Sequence, residues 1–121
     1  GTKIAVSERS AYDLWLTDHF SQPQIIRASS IQAAHDLFFE KKVDVLASLK
    51  PKLLEDMANH SGVRIIDPSF TAVKQSIGLA KGKAESIAFI NTLIAQSIKN
   101  GWIAAQLELH GMTGKLGIDP H

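Results

Sequence analysis

Five histidines (His19, His35, His60, His110 and His121) are the first residues to weigh for chemistry. They form no His-x-x-x-His or Glu-flanked pair that would place two metal ligands on one helical face, so no metal centre is expected. His35 lies on the flank of an apolar helical stripe, where a hydrogen-bonded packing role outweighs catalysis. The chain holds no Gly-x-Gly-x-x-Gly, no phosphate loop and no Gly-x-Ser-x-Gly elbow. Cysteine is absent, which removes disulfides, thiolate zinc sites and cysteine nucleophiles. Trp15, Phe38, Phe39 and Phe89 occur at helical spacing and read as core, not as a stacking platform. Nothing here demands an enzyme, and no cofactor is expected. Polar residues outside these patterns remain at Ser7, Arg9, Ser10, Ser29, Ser30, Ser48 and Lys50.

These residues stand where strand-like runs give way to helical ones. Lys3 to Val6, Gln24 to Arg27, Val43 to Ala47 and Val63 to Ile66 have β character and begin about every 20 residues. Apolar residues at helical spacing fill the intervals: Tyr12, Trp15, Leu16 and His19; then Ile31, Ala34, Leu37 and Phe38; then Leu53, Leu54, Met57 and Ala58. Ser29 with Gln32 fits a capping box, Ser10 with Asp13 resembles one, and Pro51 suits a first helical turn. Strands joined by helices must be parallel with right-handed crossovers. The expected class is therefore α/β, a three-layer sandwich with a mainly parallel sheet. Such sheets hold ligands at the carboxyl ends of the strands, where strand order reverses. For an order 2-1-3-4 that point lies between strands 1 and 3, flanked by the loops Ser7 to Ser10 and Ser48 to Pro51.

The pattern changes after Pro68. Val73 to Ala80 reads as a strand, Lys81-Gly82-Lys83 as a turn, and Ile87, Ile90, Ile94 and Ile98 as one helical face that ends at Asn100-Gly101. A last helix is expected from Trp102 to about His110, followed by a glycine-rich tail through Gly111, Gly114 and Gly117. The organisation is thus residues 2–72 and residues 73–121.

Length and composition agree with a folded chain. At 121 residues with 45% hydrophobic and 21% charged residues it can bury a core, which excludes disorder as the main state. Thirteen Lys+Arg against 12 Asp+Glu leave a net charge of +1, too little for a nucleic-acid binder. No apolar run approaches the roughly 18 residues of a membrane span. No secretory leader opens the sequence, so any targeting segment is expected outside it.

Three runs carry a family resemblance: Lys-Ile-Ala-Val-Ser-Glu-Arg-Ser-Ala-Tyr-Asp-Leu-Trp-Leu (Lys3 to Leu16), Val-Asp-Val-Leu-Ala-Ser-Leu-Lys-Pro (Val43 to Pro51) and Gln-Ser-Ile-Gly-Leu-Ala-Lys-Gly (Gln75 to Gly82). In this order and separation they resemble the family 3 extracellular solute-binding proteins of ABC importers. The resemblance implies one lobe of a type II periplasmic-binding-protein fold, in which two α/β lobes close on a small polar or anionic solute. Thr2 to about Pro68 resembles the second lobe, and Gln75 onward resembles the segment that crosses the hinge back to the first. On that pattern the first lobe lies outside this sequence. The implied partners are the solute and the membrane permease of an importer, and the implied location is periplasmic, or extracellular and membrane-tethered.

The resemblance also places a site. In the family the loop after strand 1 usually carries Gly followed by Ser or Thr, whose hydroxyl and backbone N–H hold a ligand carboxylate. Ser10 matches the hydroxyl, Arg9 stands where Gly is usual, and Ser7 and Ala11 complete the loop. A capping role alone would also explain Ser10. Many amino-acid binders of the family pair the ligand ammonium with an Asp five residues after the first Asp of strand 3; counted from Asp44, that position is Leu49. Leu49 with Lys50 beside it suits a carboxylate bearing an apolar portion better than an ammonium. Asp44 reads as a strand-entry residue. Ser29, Ser30 and Ser48 are further polar candidates, and Gln75 lies at the presumed hinge crossing.

Two other classes fit the same resemblance: the extracellular sensor domain of a receptor kinase and the effector domain of a transcription regulator. A small doubly wound enzyme domain rests on fold analogy alone. A signal peptide upstream would mark the receptor, a transmembrane helix and kinase the sensor, and a helix-turn-helix the regulator. The apolar stripe from Ile87 to Ile98 needs cover, so a homodimer through Val73 to His110 is also expected.

Overall fold

The computed structural model describes residues 1–118. Its organising element is β1 (Lys3–Ser7), whose adjacent residues Ala5 and Val6 are both fully buried. Successive strand side chains point to opposite faces, so both faces of β1 are covered. On one face Ala5 packs with Ala28, Ala34 and Val43, and Leu37 and Phe38 close the cluster. On the other face Val6 packs with Tyr12, Leu16 and Ala47, supported by Ile4, Trp15 and Ile25. These clusters set α1 (Ala11–His19) on one side of the sheet and α2 (Ile31–Phe39) on the other.

The sheet is parallel, with β1 between β2 (Gln24–Ala28) and β3 (Val45–Leu46), in the order β2-β1-β3. Ala5 pairs with Ile26 on one side and Leu46 on the other. The ladder to β3 extends one bond each way, Asp44 N–H to Lys3 O and Ala47 N–H to Ala5 O, both 3.0 Å. Asp44 also accepts the Lys3 N–H at 2.8 Å through its carboxylate, which fixes it at the entry of the strand.

Helix starts follow their caps, with one shift. Ser10 Oγ accepts the Asp13 N–H at 3.1 Å, as the sequence predicts. The cap of α2 is Ser30, whose Oγ accepts the Ala33 N–H at 3.1 Å; the expected Ser29 with Gln32 is one residue too early. Ser30 has the extended backbone a cap requires, and Gln32 turns its amide to Asp36 instead. α3 (Lys50–Asn59) starts at Leu49, which offers no capping oxygen, and carries Pro51 in its first turn.

Two expected strands are absent among the described residues. Val63 to Ile66 keeps an alternation of half-buried and exposed residues yet is unpaired coil. Val73 to Ala80 is coil, and all eight residues are exposed. Alternation selects a face, but a strand also needs a partner backbone to take its N–H and C=O groups.

The chain divides into a compact unit of residues 1–74 and a second unit from Gln75 onward. In the second unit α4 (Ala84–Lys99) packs on α5 (Trp102–Leu109). Gly101 at φ 79° ends α4 in the left-handed conformation that glycine adopts without steric cost. Gly111 at φ 66° does the same for α5, with Met112 N–H reaching back to Leu107 O at 2.7 Å. Among the described residues no helix is long and apolar enough to cross a membrane.

Candidate functional site

Because β1 and β3 are parallel neighbours, the loops that follow them leave the same edge of the sheet. One loop holds Ser7, Arg9, Ser10 and Ala11; the other holds Ser48, Leu49 and Lys50. The order β2-β1-β3 has consecutive strands on opposite sides of β1, so the chain reverses its direction of travel across the sheet here. This is the position where open α/β sheets form ligand crevices. Ser29 and Ser30 leave the same edge on the far side of β1, after β2. Gln75 is exposed and lies outside any strand, as the first residue of the second unit.

The first loop has the backbone that a glycine would adopt. Arg9 takes φ 61°, in the left-handed region, and the turn closes with Ser10 N–H bonded to Ser7 O at 3.2 Å. Asp13 holds it there: its carboxylate accepts the Arg9 N–H at 3.0 Å while its own N–H goes to Ser10. Asp13 is 3% exposed and its charge is met by Arg27, whose Nε lies 3.0 Å and 3.1 Å from its two oxygens. Arg27 Nη2 donates to Thr17 Oγ1 at 2.8 Å, and Thr17 donates to Asp13 O at 2.8 Å. Ser10 is thus a cap in fact, with its O–H still available to donate.

The second loop is held from beneath. His35 on α2 is 1% exposed and is bonded at both ring nitrogens. Its Nδ1–H donates to the Asp56 carboxylate of α3, and its Nε2 lies 2.8 Å from Ser48 Oγ. Lys52 Nζ donates to the other Asp56 oxygen at 3.0 Å and lies 3.6 Å from Glu55. Burial pushes the Asp56 carboxyl up, but the hydrogen bonds from Lys52 and His35, with the Lys52 charge, outweigh it and leave the group below its ordinary value. The bond to Asp56 correspondingly raises the Lys52 ammonium.

The order Asp56, His35, Ser48 has the connectivity of an acyl-transfer triad. The imidazole itself is 1% exposed, so what this arrangement presents to the surface is the half-buried Ser48 and not the ring. The arrangement therefore orients Ser48. Of the other described histidines, His19 stacks on Trp15 at 4.0 Å and His60 on Phe39 at 3.9 Å, while His110 takes the C-cap position of α5 through its backbone N–H. His121 lies outside the described residues. Among those residues no group of three or more His, Cys, Asp or Glu side chains could hold a metal ion. A groove of about 620 Å³ lined by Phe38, Phe39, Val43 and His60 lies near the ends of α2 and α3, away from the loops after β1 and β3.

Sequence reasoning missed two of these groups. Asp13 and Arg27 are fourteen positions apart and His35 and Asp56 twenty-one, so only the folded topology joins them. Asp13 did carry a signal, as a carboxylate between Tyr12 and Leu16 on the buried face of α1, which requires a cation or N–H partners. The Lys52–Asp56 pair at i,i+4 was likewise readable. Comparison with known proteins finds no matching family model, and no curated sequence or solved structure of significant similarity.

Proposed function

We propose that residues 1–74 are a non-catalytic ligand-binding lobe, of the type II periplasmic-binding kind, from the solute receptor of an ABC importer. The observation that carries this reading is the loop after β1: Arg9 at φ 61° keeps a glycine-like backbone at the position where that family has glycine, and Ser10 caps the helix next to it. The loop after β3, brought to the same edge of the sheet, supplies the other wall of the crevice. Gln75 onward is the hinge-crossing segment of the receptor, which works outside the cytoplasmic membrane with an importer permease.

The ligand is a small carboxylate or similar anion with an apolar portion. Leu49, 37% exposed, offers apolar surface where an ammonium-pairing Asp would stand, and Lys50 follows it. The α3 N-terminus beside them lacks a side-chain cap, and its dipole favours negative charge. Amide chemical-shift mapping of the chain with butanoate and 2-aminobutanoate at millimolar concentration tests this. Butanoate is expected to shift Arg9, Ser10, Ala11, Ser48, Leu49 and Lys50. Response to the α-amino acid alone would reject the ligand class, and shifts confined to the Phe38, Phe39 and His60 groove would reject the site.

A further inference from the structure

His35 is a buried titratable group that lies beneath the loop after β3. A carboxylate can only accept, so contact with Asp56 assigns the ring proton to Nδ1. Asp56 is already balanced by the Lys52 ammonium 3.0 Å away. A second positive charge on a ring 1% exposed would be buried without an anion of its own, which favours the neutral imidazole. Its Nε2 is then a bare acceptor, and the group 2.8 Å from it is the Ser48 hydroxyl. That hydroxyl has one proton, and Nε2 takes it.

From this polarity we infer that Ser48 is a specificity-determining residue that His35 holds as a pure hydrogen-bond acceptor, selecting solutes with a neutral donor, a hydroxyl or an amide N–H. Ser48 is half-buried at the mouth of β3, and its lone pairs are what it can offer a solute. The donor is neutral because a single serine oxygen cannot replace the carboxylate that a desolvated ammonium requires. His35 is a positioning residue, acting only through Ser48. The inference rests on the ligand-binding reading above and narrows it from anions to anions that also carry a donor.

Two measurements on the whole chain test it. Long-range proton–nitrogen NMR of the His35 ring at pH 7, without ligand, is expected to show a protonated Nδ1 and an unprotonated, hydrogen-bonded Nε2. In Ser48→Ala the Nε2 resonance alone should move. An imidazolium, or a proton on Nε2, overturns the inference whatever binds. Titrations then compare butanoate with 2-, 3- and 4-hydroxybutanoate. The best hydroxylated probe should bind roughly 2- to 12-fold more tightly, the factor one neutral hydrogen bond supplies, and Ser48→Ala should abolish the difference. Butanoate binding with no gain from any hydroxyl overturns the inference and leaves the proposed function standing. Binding by none of the four defeats both.

Discussion

Arg9 concentrates the residue-scale questions. A non-glycine residue in the left-handed region costs about 1 to 2 kcal/mol, whereas glycine loses about 0.5 to 1 kcal/mol more chain freedom on folding. The difference predicts that Arg9→Gly raises stability by up to about 1.5 kcal/mol in urea unfolding, with the Ser10 cap intact. A clear loss would show that the Arg9 side chain contributes more than its backbone costs. The positive φ was not legible in the sequence, because arginine itself gives no sign of one. Ser10 was legible from composition, as a hydroxyl three residues before Asp13. The partner that fixes the loop was not, since the buried carboxylate of Asp13 finds Arg27 only after β2 has paired with β1. Ser48 was likewise marked as a polar loop residue, while its coupling to His35 depends on α2 crossing the sheet.

Among the elements, α3 depends most on side chains. It has no buried residue, only the half-buried Pro51, Lys52, Leu53, Leu54 and Asp56, and Asp56 ties it to α2 through His35. Asp56 in the folded chain titrates below its ordinary value of 3.8, so the unfolded chain takes up a proton more readily. The stability it contributes is therefore complete above that ordinary value and is lost as pH falls through the lower, folded one. An amide NMR titration should show α3 and Ser48 shifting together with a midpoint below 3.8. A midpoint above the ordinary carboxyl value would mean that burial outweighs the Lys52 and His35 bonds. Reading the elements themselves from sequence worked where period and partner coincide. β1 and β2 have alternating faces and each other to pair with, and α1 and α2 have apolar stripes that meet those faces. Val63 to Ile66 has the alternation without the partner. Val73 to Ala80 has strand composition with no ladder to join among the described residues.

At the scale of the whole molecule the two units differ in how far they satisfy their apolar surface. In the first, both faces of β1 are sealed by a helix, and eight hydrophobic residues are buried. In the second, neither α4 nor α5 has a buried residue. Ile90, Ile94 and Ile98 are half-buried, yet Ile87, Phe89, Leu93, Trp102 and Leu109 remain between 47% and 74% exposed. Phe89 and Leu93 lie one residue, about 100°, away from Ile90 and Ile94 on the helix, so the apolar arc of α4 is wider than one neighbouring helix covers. Contiguous apolar surface of this kind associates in water. Where no other lobe takes it, a second copy of the chain is the available cover, and association through α4 and α5 is expected. Sedimentation velocity at micromolar concentration should then show a concentration-dependent species heavier than the monomer, and Phe89→Asp with Leu93→Asp should return it to monomer without disturbing the first unit. A monomer at every concentration would reject the association and mean that the helices are satisfied within one chain.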